Sequence, residues 1–451
     1  MQNAQAIKSN CIVTPQGVLS GFVAIADSKI LFVSEILPPN FNGQILDAQD
    51  LAVMPGLIDC HVHINEPGRT SWEGFETATN SAAAGGITTL VDMPLNSLPV
   101  TTSIANFKFK LLAAQNKLIV NCGFWGGLVP DNLNEIEDLL SSGVFGLKVF
   151  LTHSGIDEFP NATADQIRRV LPILKKYNVP LLAHCELDKP IDAVKMLEQQ
   201  PTSYQAYLNS RPKDWENKAV QLMVDLCRES QCKIHIVHVS SAEALPIIAK
   251  AKAEGLPITA ETCPHYLFFN AEDIPDGATQ YKCAPPIREK SNNDKLWEAL
   301  KDGTLDFIVS DHSPAPPELK ELTSGNFNKA WGGIAGMQFS LSAVWTEMRK
   351  RGFNIVQLSR LMSSNVSSFI GLDHCKGKIQ EGYDADLVIW NPDEKVIYNS
   401  QNIEHKHKIT PYAGIELFGK VKQTYCAGDL IFDNGKLNSQ RNGKLLFANK
   451  N

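Results

Sequence analysis

Between residues 53 and 372, short apolar runs alternate with stretches of helical spacing, and this repetition limits the fold more than any other feature of the chain. Residues 86–92, 119–124, 146–150, 180–185, 233–239, 258–262 and 306–310 read as buried strands. Residues 164–177, 218–229, 242–254 and 294–300 read as helices lying between them. A helical crossover returns the chain to the same end of a sheet, so successive strands must run parallel. Roughly 320 residues of this pattern suit an α/β fold closed as a (β/α)8 barrel of the TIM type.

The flanking segments, 1–52 and 373–451, differ. They carry short β-type runs at 21–25, 30–33, 385–390, 420–424 and 430–432, split by turn residues. Neither flank is long enough for a comfortable core of its own. Together they are expected to form one small β-sandwich domain, with the barrel of residues 53–372 inserted between its halves.

Charge and cysteine content narrow the partners. A net charge of −7 gives no electrostatic reason to expect nucleic acid or an acidic membrane. The opening MQNAQAIKSN lacks the basic and apolar regions of a signal peptide, and no apolar run is long enough to span a bilayer. A cytoplasmic setting is the expectation, with the ten scattered cysteines as small buried apolar residues.

The chemistry sits at the C-terminal ends of the expected strands, the face where such barrels place their active sites. Residues two apart in a strand share a face, so His61 and His63 can converge on one metal. Lys148 lies inside the apolar run 146–150, where a charged amine is costly. It either snorkels, finds an ion pair, or is neutral and reacts with carbon dioxide to form an anionic carbamate. His184 and His238 each end an apolar run, as core histidines or as ligands of a second metal. Asp311 ends the last expected strand, where a carboxylate can both ligate metal and accept a proton. Strand alternation turns His312 the other way, and turns Cys60 and Cys185 away from the histidines beside them.

The ordered set HxH, Lys, His, His, Asp on strands one, four, five, six and eight resembles the cyclic amidohydrolase branch of the amidohydrolase superfamily. That branch comprises allantoinases, dihydroorotases and hydantoinases. The resemblance extends over nearly the whole chain. Allantoinases are matched best, through HVHINEPGR at 61–69, MPLNS at 93–97, ETCPHY at 261–266, KCAPPIR at 282–288, AWGGIAG at 330–336 and HKHKITPY at 405–412.

What the resemblance implies is specific. His61, His63 and Asp311 hold one divalent metal and His184 and His238 the other, with the carbamate of Lys148 and a hydroxide bridging them. Zinc is the first choice of metal, with iron, cobalt and manganese also compatible with nitrogen and oxygen donors. Asp311 is the catalytic acid–base. The expected substrate is allantoin, opened to allantoate in purine and ureide catabolism, and the expected assembly is a homotetramer. Candidate substrate contacts are Asn65, Asn96, His153, and backbone groups near Ala284 and Gly332. Dihydroorotases keep an arginine where this chain has Asn65, and hydantoinases a tyrosine where it has His153. Other relatives have lost the ligands and serve as assembly proteins, whereas here the ligand set is complete. The loop 154–163 is a lid or an ordinary surface loop. The basic run 405–408 is expected to be a structural link between domains rather than a metal tract.

Overall fold

The strand Leu57–Val62 is followed by the helix Phe75–Ala84 and the parallel strand Ile87–Asp92, and this step is repeated around a ring. The remaining ring strands are Asn121–Phe124, Leu147–Phe150, Leu181–His184, Ile234–Ile236, Ile258–Thr262 and Phe307–Ile308. The third is prolonged by Gly126–Gly127, whose Gly126 pairs with Leu147. Closure comes from the far side, where Val62 bridges His312 and the His63 amide donates to the His312 carbonyl at 2.8 Å. The chain is thus an α/β barrel of eight parallel strands, in a computed structural model that describes residues 4–187 and 192–448.

Local sequence explains the helices. Ala164–Tyr177 starts on a capping box, in which Thr163 and Gln166 satisfy each other's backbone, and stops at Asn178 in the left-handed region. Its Ile167, Val170, Leu171 and Leu174 form one buried stripe. Lys213–Ser230 begins five residues earlier than its periodicity suggests, because Pro212 leads in and Trp215 and Glu216 are already buried. Two strands are shorter than expected. Ile234–Ile236 and Phe307–Ile308 end early because the chain then turns into left-handed geometry at His238 (φ 38°) and Asp311 (φ 46°).

The two flanks build a β-rich domain. Its nine-stranded sheet follows one hydrogen-bonded path of eight: Lys436–Leu437, Asp429–Asp433, Glu416–Cys426, Leu387–Ile397, Ala52–Pro55, Gln5–Thr14, Gly17–Ala26 and Lys29–Ser34, with the ninth strand, Gln44–Asp47, branching from Gln5–Thr14. An irregularity between Ser9 and Ile12 lets Gln5–Thr14 pair with Gln44–Asp47 at its start and with Ala52–Pro55 at its end. The strand Ala52–Pro55 runs across the division expected at 52/53 and joins the N-terminal strands to Leu387–Ile397. Residues 443–448 leave this sheet altogether. The Cys122 amide donates to the Lys444 carbonyl at 2.9 Å, the Leu446 amide returns to Cys122 at 2.9 Å, and Phe447 meets Phe107 edge-on. The tail therefore packs on the third barrel strand, away from the domain to which its sequence position assigns it.

Candidate metal centre

The expected ligands sit at or just past barrel strand ends, except Lys148, which lies within the strand Leu147–Phe150. The imidazoles of His61 and His63 both face Asp311, with Nε2 to Oδ1 distances of 3.3 and 3.5 Å. Across the site, His184 Nδ1 lies 3.0 Å from His238 Nε2, and the His238 ring is 5.4 Å from that of His61. Lys148 is fully buried between these pairs, and its Nζ has no hydrogen-bond partner among the described residues. The structure thus brings together all six residues expected to bind metal.

Electrostatics favour cations here. Burial pushes His61, His184 and His238 below the ordinary imidazole range, which leaves them neutral and able to ligate. Burial also pushes the Lys148 ammonium down to about 8, against the opposing pull of Glu261 and Asp311. For Asp311 burial works the other way, yet His61, His63 and His238 hold its carboxyl well below the usual range. Asp311 and His238 both adopt left-handed backbone, as do Asn65 (φ 66°) and Asn96 (φ 58°). Strain gathered in this way around one cleft marks geometry fixed for use.

The far nitrogens of His61, His184 and His63 are anchored, whereas His238 Nδ1 has no hydrogen-bond partner among the described residues. His61 Nδ1 meets Glu261 Oε1 at 2.5 Å, and Glu261 Oε2 accepts from His235 Nε2 at 3.0 Å. His184 Nε2 meets Glu186 Oε2 at 2.8 Å, and Arg211 grips the same Glu186. His63 Nδ1 lies 3.4 Å from the Leu95 carbonyl. Carboxylate support of this kind orients a ligating imidazole and raises its basicity. Glu261 and Glu186 both titrate at about 2: burial opposes ionisation, but His61 with His235, and Arg211 with His184, overcome it. Below the HxH segment a buried ion pair, Lys110 Nζ to Asp92 Oδ2 at 2.6 Å, frees Asp92 Oδ1 to accept from the Ile64 amide at 2.8 Å.

A cavity of about 510 Å³ opens over these groups. Asn96, His153, Ala284 and Gly332 line it, as the sequence led one to expect. Asn65 does not: its side chain is buried and donates to the Pro314 carbonyl at 3.2 Å, so the expected direct contact with substrate is replaced by a role in the loop. His153 is largely exposed and engages its own loop, accepting from the Gly155 amide at 3.1 Å. The 154–163 segment touches the cavity at its start, where Ser154 and Gly155 line it and Gly155 faces the Trp331 ring, while Asp157, Glu158 and Asn161 are exposed. A Cβ on Gly333 would fall 2.4 Å from the Ser313 carbonyl, so only glycine lets this wall approach Asp311's loop.

The remaining candidates lie apart. His312 turns from the cavity toward Glu73, 3.7 Å away, and stands beside His405. The 405–408 run docks on barrel residues, with the Lys406 amide on Glu73 and His407 Nε2 on the Ser71 carbonyl at 2.7 Å. Cys60 and Cys185 pack in the apolar clusters. Glu261, Glu186 and Arg211 were not singled out from the sequence. A glutamate within the buried run 258–262 was a signal of the same kind as Lys148.

The donors fit a pair of divalent cations: four imidazoles, three of them with anchored far nitrogens, a carboxylate, and a buried amine without a hydrogen-bond partner among the described residues. The chain belongs to the amidohydrolase family, whose model matches residues 52–431, and among its described residues His61, His238 and Asp311 form a group that could hold a metal ion. It is 44% identical to an allantoinase of Arabidopsis thaliana, over 98% of this chain and 90% of that protein. It is 43% identical to an allantoinase of Streptomyces avermitilis, over 98% of each. Among solved structures it resembles the L-hydantoinase (dihydropyrimidinase) of Arthrobacter aurescens, with a TM-score of 0.92, 29% identity, and coverage of 99% of this chain and 100% of that one.

Proposed function

We propose that this chain is an allantoinase, a metal-dependent hydrolase that opens the hydantoin ring of allantoin at an amide C–N bond to give allantoate. One observation carries the reading: six ligand-type residues, drawn from five strand ends, converge under a cavity in a chain whose relatives named allantoinase match it over nearly its full length. In this reading His61, His63 and Asp311 would hold one cation and His184 and His238 the other, with Lys148, as its carbamate, a ligand to both. Two divalent cations, zinc foremost, supply an activated water and polarise the ring carbonyl.

The protein's own groups do the rest. Asp311 takes the proton of the attacking water and delivers it to the departing ring nitrogen, which is a poor leaving group unprotonated. Ser313 Oγ donates to Asp311 Oδ1 at 3.0 Å and holds the carboxylate in place for both transfers. Asn96 and the backbone at Ala284 and Gly332 offer amide-type partners to a neutral ring. The buried and half-buried cations in the wall, Lys148 aside, are committed elsewhere, Arg211 to Glu186 and Lys282 to the Ala330 carbonyl, whereas Lys329 is exposed. A substrate carboxylate buried there would lack a partner, at a cost of several kcal/mol. The same reading includes a homotetramer, checked by light scattering, and a reducing cytoplasmic setting, which suits ten cysteines that are all free.

A substrate panel on metal-loaded protein tests the assignment. Allantoin is expected to be opened, plain hydantoin to be poor, and dihydroorotate to stay untouched. Faster turnover of dihydroorotate or dihydrouracil than of allantoin overturns it.

A further inference from the structure

Beside the expected metal pair lies a second group of donors, of which the proposed reaction uses Asp311 alone. Cys263 follows the strand Ile258–Thr262 and caps the short helix Pro264–Phe268, which carries His265. The ligand atoms of Cys263, His265 and Asp311 lie within 4.8 Å of one another, and all three residues are buried. His265 is 1% exposed, yet neither of its ring nitrogens has a hydrogen-bond partner among the described residues. A buried imidazole with both nitrogens unsatisfied is costly and calls for an explanation. Tyr412, whose hydroxyl is also buried without a partner, and Cys283 are close enough to Cys263 to interact with it electrostatically.

We propose that Cys263, His265 and Asp311 form a third cation site, and that a soft divalent ion bound there inhibits the enzyme. One nitrogen, one sulfur and one oxygen donor make a set suited to zinc or cobalt and unsuited to magnesium or manganese. On binding, the Cys263 thiol loses its proton to solvent, and thiolate and carboxylate together balance the dication. Asp311 can serve both places because a carboxylate has two oxygens. Oδ1 faces His61, His63 and Ser313, which leaves Oδ2 for the additional ion. Inhibition follows if Asp311 moves the proton, and this clause alone rests on the function proposed above. A carboxylate shared with a further cation no longer accepts one.

Cobalt(II) reads the site directly, because none of the residues assigned to the metal pair offers sulfur. Enzyme loaded with two equivalents of cobalt is titrated with more. The expected result is one further ion per chain, a thiolate-to-cobalt charge-transfer band in the near ultraviolet, and about a 100-fold fall in allantoin turnover. Manganese in the same excess produces none of these. Cys263→Ser is expected to keep two equivalents and its turnover while losing both the band and the inhibition. Cys283→Ser keeps the band. If the chain fails to open allantoin, stoichiometry and band still decide the matter. Absence of the band in the wild type, or its persistence in Cys263→Ser, overturns the proposal.

Discussion

Removing metal and carbon dioxide from the enzyme and restoring them at controlled pH tests the role given to Lys148. Carbamate formation needs the neutral amine. Burial lowers this amine from 10.5 to about 8, so the neutral form prevails above that pH rather than above the ordinary lysine value. At about pH 7.5, roughly a quarter of the Lys148 amines are neutral, against about 0.1% for an unperturbed lysine, a gain of about 200-fold. With dissolved carbon dioxide and zinc held constant, the reactivation rate should rise about eightfold from pH 6.5 to 7.5 and be almost flat above pH 9. The assay is recovery of allantoin turnover after a jump from the stripped state, with zinc content followed in parallel. Lys148→Ala should keep its circular dichroism, bind less metal, and regain activity only in part, when a small carboxylic acid takes the carbamate's place. A rate that climbs tenfold per pH unit through pH 9 would refute the reasoning. So would density showing an unmodified Lys148 facing two bound ions.

Two further substitutions separate the roles around this centre. Asp311→Asn keeps an oxygen donor but removes the proton acceptor, so turnover should fall by at least ~100-fold with most of the metal retained; near-normal turnover would mean that another group moves the proton. Glu261→Gln keeps shape but removes the charge that anchors His61 and His235, so chelator competition should show metal affinity reduced by about 10- to 100-fold. An unchanged affinity would detach Glu261 from the orientation of His61.

The barrel was legible because its signal is local. Helix Ala164–Tyr177 and strand Ile258–Thr262 have the bounds that periodicity and turn residues give them. The six candidate ligands were legible for a related reason, since each lies in or just after an apolar run and the barrel gathers its strands around one face. What sequence could not show was partnership across distance. Glu261 meets His61 from 200 positions away, and Arg211 reaches Glu186 only because a helix start stands against a strand end. Asn65 carries the same lesson. A polar residue two places after HxH looks like a contact for substrate, but its left-handed backbone turns the side chain to Pro314. The return of residues 443–448 to the third strand had no signal either, because a segment added to an already buried strand leaves no period of its own.

The shared sheet has a consequence for how the protein is made. Ala52–Pro55 leaves the ribosome long before Leu387–Ile397, the strand that covers its open edge. At ordinary translation speeds the wait is roughly 20–70 s, during which the barrel is synthesised and the N-terminal strands have no second half. An uncovered edge is a template for pairing with another chain. This one is four residues long and ends in a proline, which has no amide hydrogen to offer. Premature termination anywhere before residue 387 would leave a barrel segment beside a half-built sheet with that edge exposed. Nascent chains stalled late in synthesis should therefore be the species that aggregates, even though every candidate ligand of the proposed metal centre has by then been translated.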